Sequence, residues 1–241
     1  MIGYYDIHCH MLPDVDDGSK DMDMTRRMLE IAYCEGIREI VMTPHYMIEQ
    51  DNRPVEMLLE IVNQVREEAT KISDDIHIYL GNELYYTMGI VDRLVEGSAL
   101  TLNESRYALV EFSIRESYKT IYRACKEFTD KGYSPVIAHV ERYGCLYKKI
   151  DCIEELVDAG AYIQVNINSL LGGITDGVAN YCKKLLKYDL IHLLGTDAHR
   201  DVGRSPVMYK GIEYIEKKYG SGTVRELLVS NPQKILANKI L

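Results

Sequence analysis

Seven short apolar runs separated by longer amphipathic stretches constrain what this chain can fold into. They are Tyr4 to His8, Glu39 to Thr43, Ile76 to Leu80, Tyr107 to Glu111, Pro135 to His139, Tyr162 to Asn166 and Ile191 to Gly195. Their length and their content of β-branched and aromatic residues read as strands. The stretches between them carry apolar residues at helical spacing: Met24, Met28, Leu29 and Ile31 within Asp21 to Cys34, and Leu58, Ile61, Val62 and Val65 within Pro54 to Ile72. Tyr118 to Lys131 follows the same pattern. Strand then helix, repeated, specifies a parallel sheet in an α/β fold. Gly36, Gly132 and Gly160 fall where helices are expected to end in a left-handed cap. The residues after Asp201 read as closing helices, with Pro232 at a helix start.

No composition shift, proline-rich linker or low-complexity segment interrupts the 241 residues, and 46% of them are hydrophobic. A single domain over residues 1–241 is therefore expected, within the size range of α/β barrels. No apolar run approaches the ~20 residues needed to span a bilayer, and the opening MIGYYDIHCH lacks the charged and apolar regions of a signal peptide. The expected location is the cytoplasm, without membrane insertion. A formal net charge of -9 and the lack of a basic stripe speak against nucleic acid as a partner. They do not speak against a phosphorylated substrate, because bound divalent cations can reverse the local potential of a site.

Polar residues of one chemical kind recur where these strands end. His8 and His10 close the first run, His45 follows the second, Glu83 the third, Glu111 the fourth, His139 the fifth, and Asp197 with His199 the seventh. In a β/α barrel the C-terminal strand ends converge on one face, so residues remote in sequence become neighbours there. Alternation along an extended segment points His8 and His10 the same way, which lets both imidazoles bind one ion, and turns Cys9 to the other side as a structural residue. An isolated H-x-H could equally be two polar residues at a loop entry. Recurrence at further strand ends, with a second alternating pair in G-T-D-A-H, favours a site. His77 and His192 fall inside strand runs rather than at their mouths and are left out, and Tyr85 and Tyr86 are left unassigned.

Mixed imidazole and carboxylate donors suit Mn, Fe, Zn, Co or Mg. The donors outnumber what one ion needs, so two or three ions are expected, bridged by a glutamate, at a site able to ionise water near neutral pH. Arg142 in H-V-E-R-Y and Arg204 in D-V-G-R-S-P follow ligand-bearing strand ends. Their planar guanidinium groups can bind phosphate oxygens in pairs, which points to phosphate esters and away from a neutral amide substrate. The six cysteines are scattered without a C-x-x-C pair, and none is followed six positions later by arginine, so a thiol-based phosphatase loop is absent from the sequence.

Taken in order, D-I-H-C-H, V-D-D-G, T-P-H, G-N-E-L-Y-Y, Y-A-L-V-E-F, V-I-A-H-V-E-R-Y, T-D-A-H and G-R-S-P resemble the polymerase-and-histidinol-phosphatase (PHP) superfamily. More closely they resemble its bacterial tyrosine-protein phosphatases linked to capsule and exopolysaccharide synthesis, over nearly the whole chain. The resemblance implies a distorted seven-stranded TIM-like barrel with three divalent ions, often Mn2+. It implies that His8, His10, Glu83 and Asp197 hold one ion, that Glu83 bridges to a second held with Glu111 and His139, and that Asp17, His45 and His199 hold a third. Asp16, beside Asp17, is the competing carboxylate.

By the same resemblance Arg142 and Arg204 are catalytic, phosphate-binding residues. The implied reaction is in-line attack by a metal-bridging hydroxide on phosphotyrosine in the tail of a bacterial tyrosine kinase. No dedicated general acid is named, because tyrosinate is a good leaving group. Rival readings are a small phosphate ester such as histidinol phosphate as substrate, since the metal site alone does not choose the leaving group, and a scaffold without catalysis, for which no expected ligand is missing. Homo-oligomerisation is left open.

Overall fold

The structure is a computed structural model and describes residues 3–241; Met1 and Ile2 lie outside the described residues. Nine strands lie among the described residues, most of them followed by a helix. β1 (Tyr4–Cys9), β2 (Ile37–Met42) and β4 (His77–Leu80) form one sheet, in the order β1-β2-β4. β3 (His45–Tyr46), β5 (Glu83–Tyr85), β6 (Tyr107–Glu111), β7 (Ser134–Ile137), β8 (Tyr162–Asn166) and β9 (Leu193–Gly195) form the other, in that order. Every pairing is parallel.

The expected seven-stranded barrel is thus corrected to nine strands in two sheets. The seven runs read from the sequence each contain a strand, and the two extra strands arise where the second and third runs break and resume. Pro44 has no amide hydrogen to donate, so β2 stops before it and His45 resumes pairing with β5 instead of β4. The two sheets are stitched at this break, where Thr43 N donates to Cys9 O at 2.9 Å, Gly81 N to Met42 O at 2.9 Å and Glu83 N to Pro44 O at 3.1 Å. The far edge curls back to β1: Asp197 N donates to His8 O and His10 N to Ala198 O, each at 2.8 Å. The outcome is an α/β fold with a curled, TIM-barrel-like parallel sheet.

The helices form where capping and periodicity predict them. In α1 (Met22–Cys34), Asp21 caps the first turn by accepting from Met24 N at 2.8 Å, and Met28, Leu29 and Ala32 are buried. α2 (Val55–Ile72) buries Leu58, Val62, Val65 and Ala69. α3 (Ile90–Val95) is short, and α4 (Tyr118–Asp130) buries Ile121, Ala124, Cys125 and Phe128. Each fully buried aliphatic or aromatic side chain contributes about 1.5–3 kcal/mol. Gly36, Gly132 and Gly160 hold φ of 86°, 84° and 93°, the left-handed caps expected of them.

α5 (Ile150–Asp158), α6 (Gly177–Lys187) and α7 (Tyr209–Tyr219) complete the alternation. The C-terminal segment adds α8 (Ser221–Arg225), a π-helical turn (Glu226–Ser230) and α9 (Asn231–Leu236), with Pro232 in the first turn of α9. Val229 and Ile235 of this segment pack with Tyr5, Ile7, Leu109, Val136 and Leu193 of the strands. No helix among the described residues is long and apolar enough to cross a membrane.

Candidate metal centre

Glu83 begins β5, and both its oxygens point into a ring of imidazoles. Oε2 lies 3.1 Å from His8 Nε2, 3.1 Å from His10 Nε2 and 3.2 Å from His45 Nδ1; Oε1 lies 2.9 Å from His139 Nε2. The alternation argument for H-x-H holds in the structure: His8 and His10 present their Nε2 atoms 3.3 Å apart. The Cys9 thiol points away, to Val41 O at 3.4 Å, and burial pushes it well above the usual thiol range.

Around this centre the remaining expected residues gather. Glu111 Oε1 is 3.4 Å from His139 Nε2, and Asp197 Oδ1 is 3.6 Å from His8 Nε2 and 3.7 Å from His10 Nε2. Asp17 Oδ1 sits 3.5 Å from His45 Nε2 and 3.4 Å from His199 Nε2. All nine residues fall into overlapping groups whose donor atoms lie within 4.8 Å of one another. His45 turns Nδ1 toward Glu83 and Nε2 toward Asp17, linking two of the expected ion sites. His10 also joins the Asp17, His45 and His199 group, which the sequence reading did not foresee.

Two of the ring residues use backbone conformations that β-strands do not supply. His139 follows β7 at φ 32°, and Asp197 follows β9 at φ 53°. Such left-handed non-glycine positions cost about 1–3 kcal/mol and collect at functional sites. Both stand where the chain leaves its strand at the mouth of the sheet.

The electrostatics divide the site. Burial opposes ionisation of Glu83, but the charge of His8 and hydrogen bonds from His10 and His139 outweigh it and hold the carboxyl well below its usual range. Burial, with Glu83's charge, pushes Glu111 up to about 7. Burial also disfavours a charged His10, yet hydrogen bonds to Asp16 and Glu83 raise it to about 10. His45 and His199 are held down, His199 to about 4, by burial and then by the charge of His10 for His199. Neutral imidazoles and ionised carboxylates are the forms that ligate divalent cations, so bound metal would displace the protons on His8, His10 and Glu111.

A direct sign that these residues fit a cation is the pair His45 Nδ1 and Glu83 Oε2. Both are buried, neither makes a well-directed hydrogen bond within the protein, and they face each other at 3.2 Å. Buried polar atoms normally find partners, and a shared cation supplies one to both. Mixed nitrogen and oxygen donors without thiolate match the borderline and hard divalent ions.

Arg142 and Arg204 both reach this cluster, by way of Asp197: Arg142 Nη2 lies 2.5 Å from Oδ2 and Arg204 Nη2 2.9 Å from Oδ1. Both guanidinium side chains remain partly exposed at the edge of the site. His77 and His192 stay outside it. His77 is exposed and pairs with Glu39, while His192 accepts from Ile163 N at 3.1 Å. Tyr86 bonds Glu127 and packs on Phe112, a packing role.

Of the residues that support the site, Asp16 was foreseen only as the rival of Asp17, and Tyr143, Gln164 and Asn166 were not foreseen. Asp16 stands behind His10, accepting from Nδ1 at 2.7 Å and from His45 N at 3.0 Å, which separates its role from that of the more exposed Asp17. A hydrogen bond from His10 holds Asp16 near 2 against the opposing effect of burial. Tyr143 OH accepts from Phe112 N and donates to Ala138 O. Gln164 and Asn166 lie two apart on β8; polar residues on alternate positions of the otherwise apolar Y-I-Q-V-N were the available signal.

Comparison with known proteins adds to this geometry. The family model described as capsular polysaccharide synthesis, CpsB/CapC, matches residues 4–237. The chain is 37% identical to tyrosine-protein phosphatase CpsB of Streptococcus pneumoniae, over 98% of this chain and 99% of that protein. It superposes with a TM-score of 0.90 and 28% identity, over 98% of this chain and 96% of the other, on a structure from work on YwqE of Bacillus subtilis and CpsB of S. pneumoniae, described as unique metal-dependent tyrosine phosphatases. A histidinol phosphate phosphatase from Lactococcus lactis, with zinc, L-histidinol and phosphate bound, shares the fold alone, at a TM-score of 0.60 and 14% identity over 91% of this chain and 95% of that one.

Proposed function

The chain belongs to the CpsB/CapC family of capsular polysaccharide synthesis proteins, and on that premise we propose that it is a metal-dependent protein-tyrosine phosphatase acting in the cytoplasm as a single domain. Its substrate is a phosphotyrosine tail of a bacterial tyrosine autokinase, and its role is control of capsule and exopolysaccharide synthesis. The observation that carries the reading is the convergence of nine imidazole and carboxylate residues, Glu83 among them, with two arginines at the rim.

His8, His10, Glu83 and Asp197 would hold one ion, Glu83, Glu111 and His139 a second, and Asp17, His45 and His199 a third, with Mn2+ the expected metal. Divalent ions bound there would bring water to ionisation near neutral pH and neutralise charge developing on a phosphoryl group. The protein groups supply the rest. Arg142 and Arg204 grip phosphate oxygens in pairs, with Asp197 fixing the edge of each guanidinium that it contacts. Partly buried Asp16 fixes the ring of His10. The leaving tyrosinate derives from a phenol of pKa ~10 and departs without a dedicated general acid. Cys9, Cys125 and Cys182 are buried and burial raises each thiol, to about 12 for Cys125, so no thiolate nucleophile is offered there.

The deciding experiment compares Mn-dependent phosphate release from a phosphotyrosine peptide and from histidinol phosphate. Faster turnover of the peptide, abolished by chelation, is expected. Preference for the small ester would sink the protein-phosphatase reading while leaving the metal site intact.

A further inference from the structure

Of the seven strand runs, the one that becomes β8 ends without any of the nine donors. Gln164 and Asn166 stand there instead, two positions apart, both buried. The two ends of this amide pair meet groups whose hydrogen-bonding sense cannot be exchanged. The backbone amide of His139 can only donate, and it reaches Gln164 Oε1 at 2.6 Å. The ionised Asp197 can only accept, and it receives Asn166 Nδ2 at 2.9 Å. The link between them, Gln164 Nε2 donating to Asn166 Oδ1 at 2.9 Å, is the one arrangement that satisfies both ends. Asn166 is anchored further by its backbone amide, which donates to Glu141 Oε1 at 3.1 Å.

The same Gln164 Oε1 lies 3.3 Å from His8 Nδ1. An amide oxygen only accepts, so Nδ1 must carry the hydrogen. The other nitrogen, Nε2, faces Glu83 Oε2 at 3.1 Å and His10 Nε2 at 3.3 Å. We propose that Gln164 and Asn166 are positioning residues that hold His8 as its Nδ1–H tautomer and so present the Nε2 lone pair to a divalent cation, which rests on the reading of His8 as a metal ligand. Asp197 sets the direction of the whole relay. One carboxylate orients Asn166, Asn166 orients Gln164, and Gln164 fixes both the His8 ring and the backbone that carries His139. Three of the nine donors are thereby held by a strand that contributes none.

Partners of this kind, behind a ligating histidine, are worth about 10–100-fold in metal affinity. The test uses the full chain loaded with Zn(II), a diamagnetic divalent ion, and reads the ring of His8 by multiple-bond 1H–15N NMR alongside zinc affinity from chelator competition. The parent should show a protonated, slowly exchanging Nδ1 and a zinc-bound Nε2. Gln164→Met should speed exchange of that hydrogen and weaken zinc binding by about 10–100-fold. Gln164→Glu keeps the acceptor for His8 Nδ1 but loses the donor to Asn166 Oδ1, so it should keep the slow hydrogen and weaken zinc binding less than Gln164→Met does. Zinc bound through Nδ1 of His8 in the parent would overturn the proposal even if Gln164→Met does not fold. So would a folded Gln164→Met that matches the parent in both readouts. A parent that binds no zinc or manganese would instead defeat the metal-site reading itself.

Discussion

Replacing Arg142 by lysine keeps the charge and removes the planar fork, and the structure sets the size of the effect. One edge of the guanidinium is engaged by Asp197 at 2.5 Å, while 39% of the side chain stays exposed at the rim. Lysine there would give up one of the two parallel bonds that a guanidinium makes to a phosphate. A hydrogen bond to a charged group contributes ~1.5–3 kcal/mol, and the exposure of Arg142 selects the low end of that range. Because ~1.4 kcal/mol is tenfold in rate, kcat/KM should fall roughly tenfold. Lysine keeps a positive charge beside buried Asp197, which Arg204 also contacts, so the cost in stability should stay near ~1 kcal/mol and Tm should move little. Initial rates on a phosphotyrosine peptide and on p-nitrophenyl phosphate at saturating Mn2+ measure this, and both substrates should lose equally because they share the phosphoryl group. An Arg142→Lys enzyme within twofold of the parent on both would refute the placement of Arg142 on phosphate.

Three further outcomes follow from other parts of the molecule. Burial holds His192 at about 4, below its ordinary ~6.5, so the unfolded chain takes up a proton before the folded one does as pH falls. Its contribution to stability is therefore complete above pH ~6.5 and declines toward pH ~4 by at most about 3 kcal/mol; urea unfolding at pH 7.5 and 5 should show a shallower loss for His192→Gln, and an unchanged loss would acquit His192. A Cβ on Gly18 would lie 2.1 Å from His10 O, a backbone atom with no freedom to yield, so Gly18→Ala should cost about 1–3 kcal/mol in chemical denaturation and weaken metal binding through His10. Glu111, pushed up to about 7, must lose its proton to ligate, so metal affinity should rise with pH through ~7. Calorimetry in two buffers of different ionisation enthalpy should find fewer protons released by Glu111→Gln, and equal release would remove Glu111 from the site.

What the sequence made legible was whatever depends on local period and on strand ends. His8 and His10 could be paired by alternation, and eight of the nine donors were found by asking which residue follows each apolar run. Asp17 came only from resemblance, because it lies in the loop between β1 and α1, where no period places it. The second sheet starting at His45 was not foreseen, because it depends on which neighbour the chain pairs with after Pro44. Gln164 and Asn166 escaped notice because amides carry no charge and their role exists only through His8, His139 and Asp197, which are 25 or more residues away in sequence. The placement of both arginines on Asp197 is likewise a tertiary fact, since spacing locates a loop arginine near a ligand without saying which atom it meets.

A single multinuclear metal site built from residues between His8 and His199 makes hydrolysis depend on bound metal. Metal content and phosphotyrosine-peptide turnover, measured together on the parent and on His139→Ala before and after chelation, test it most directly. The parent should hold more than one Mn2+ per chain, lose turnover on chelation and regain it with Mn2+, and His139→Ala should lose both metal and turnover. Full turnover by the chelated parent, or by His139→Ala, would contradict it.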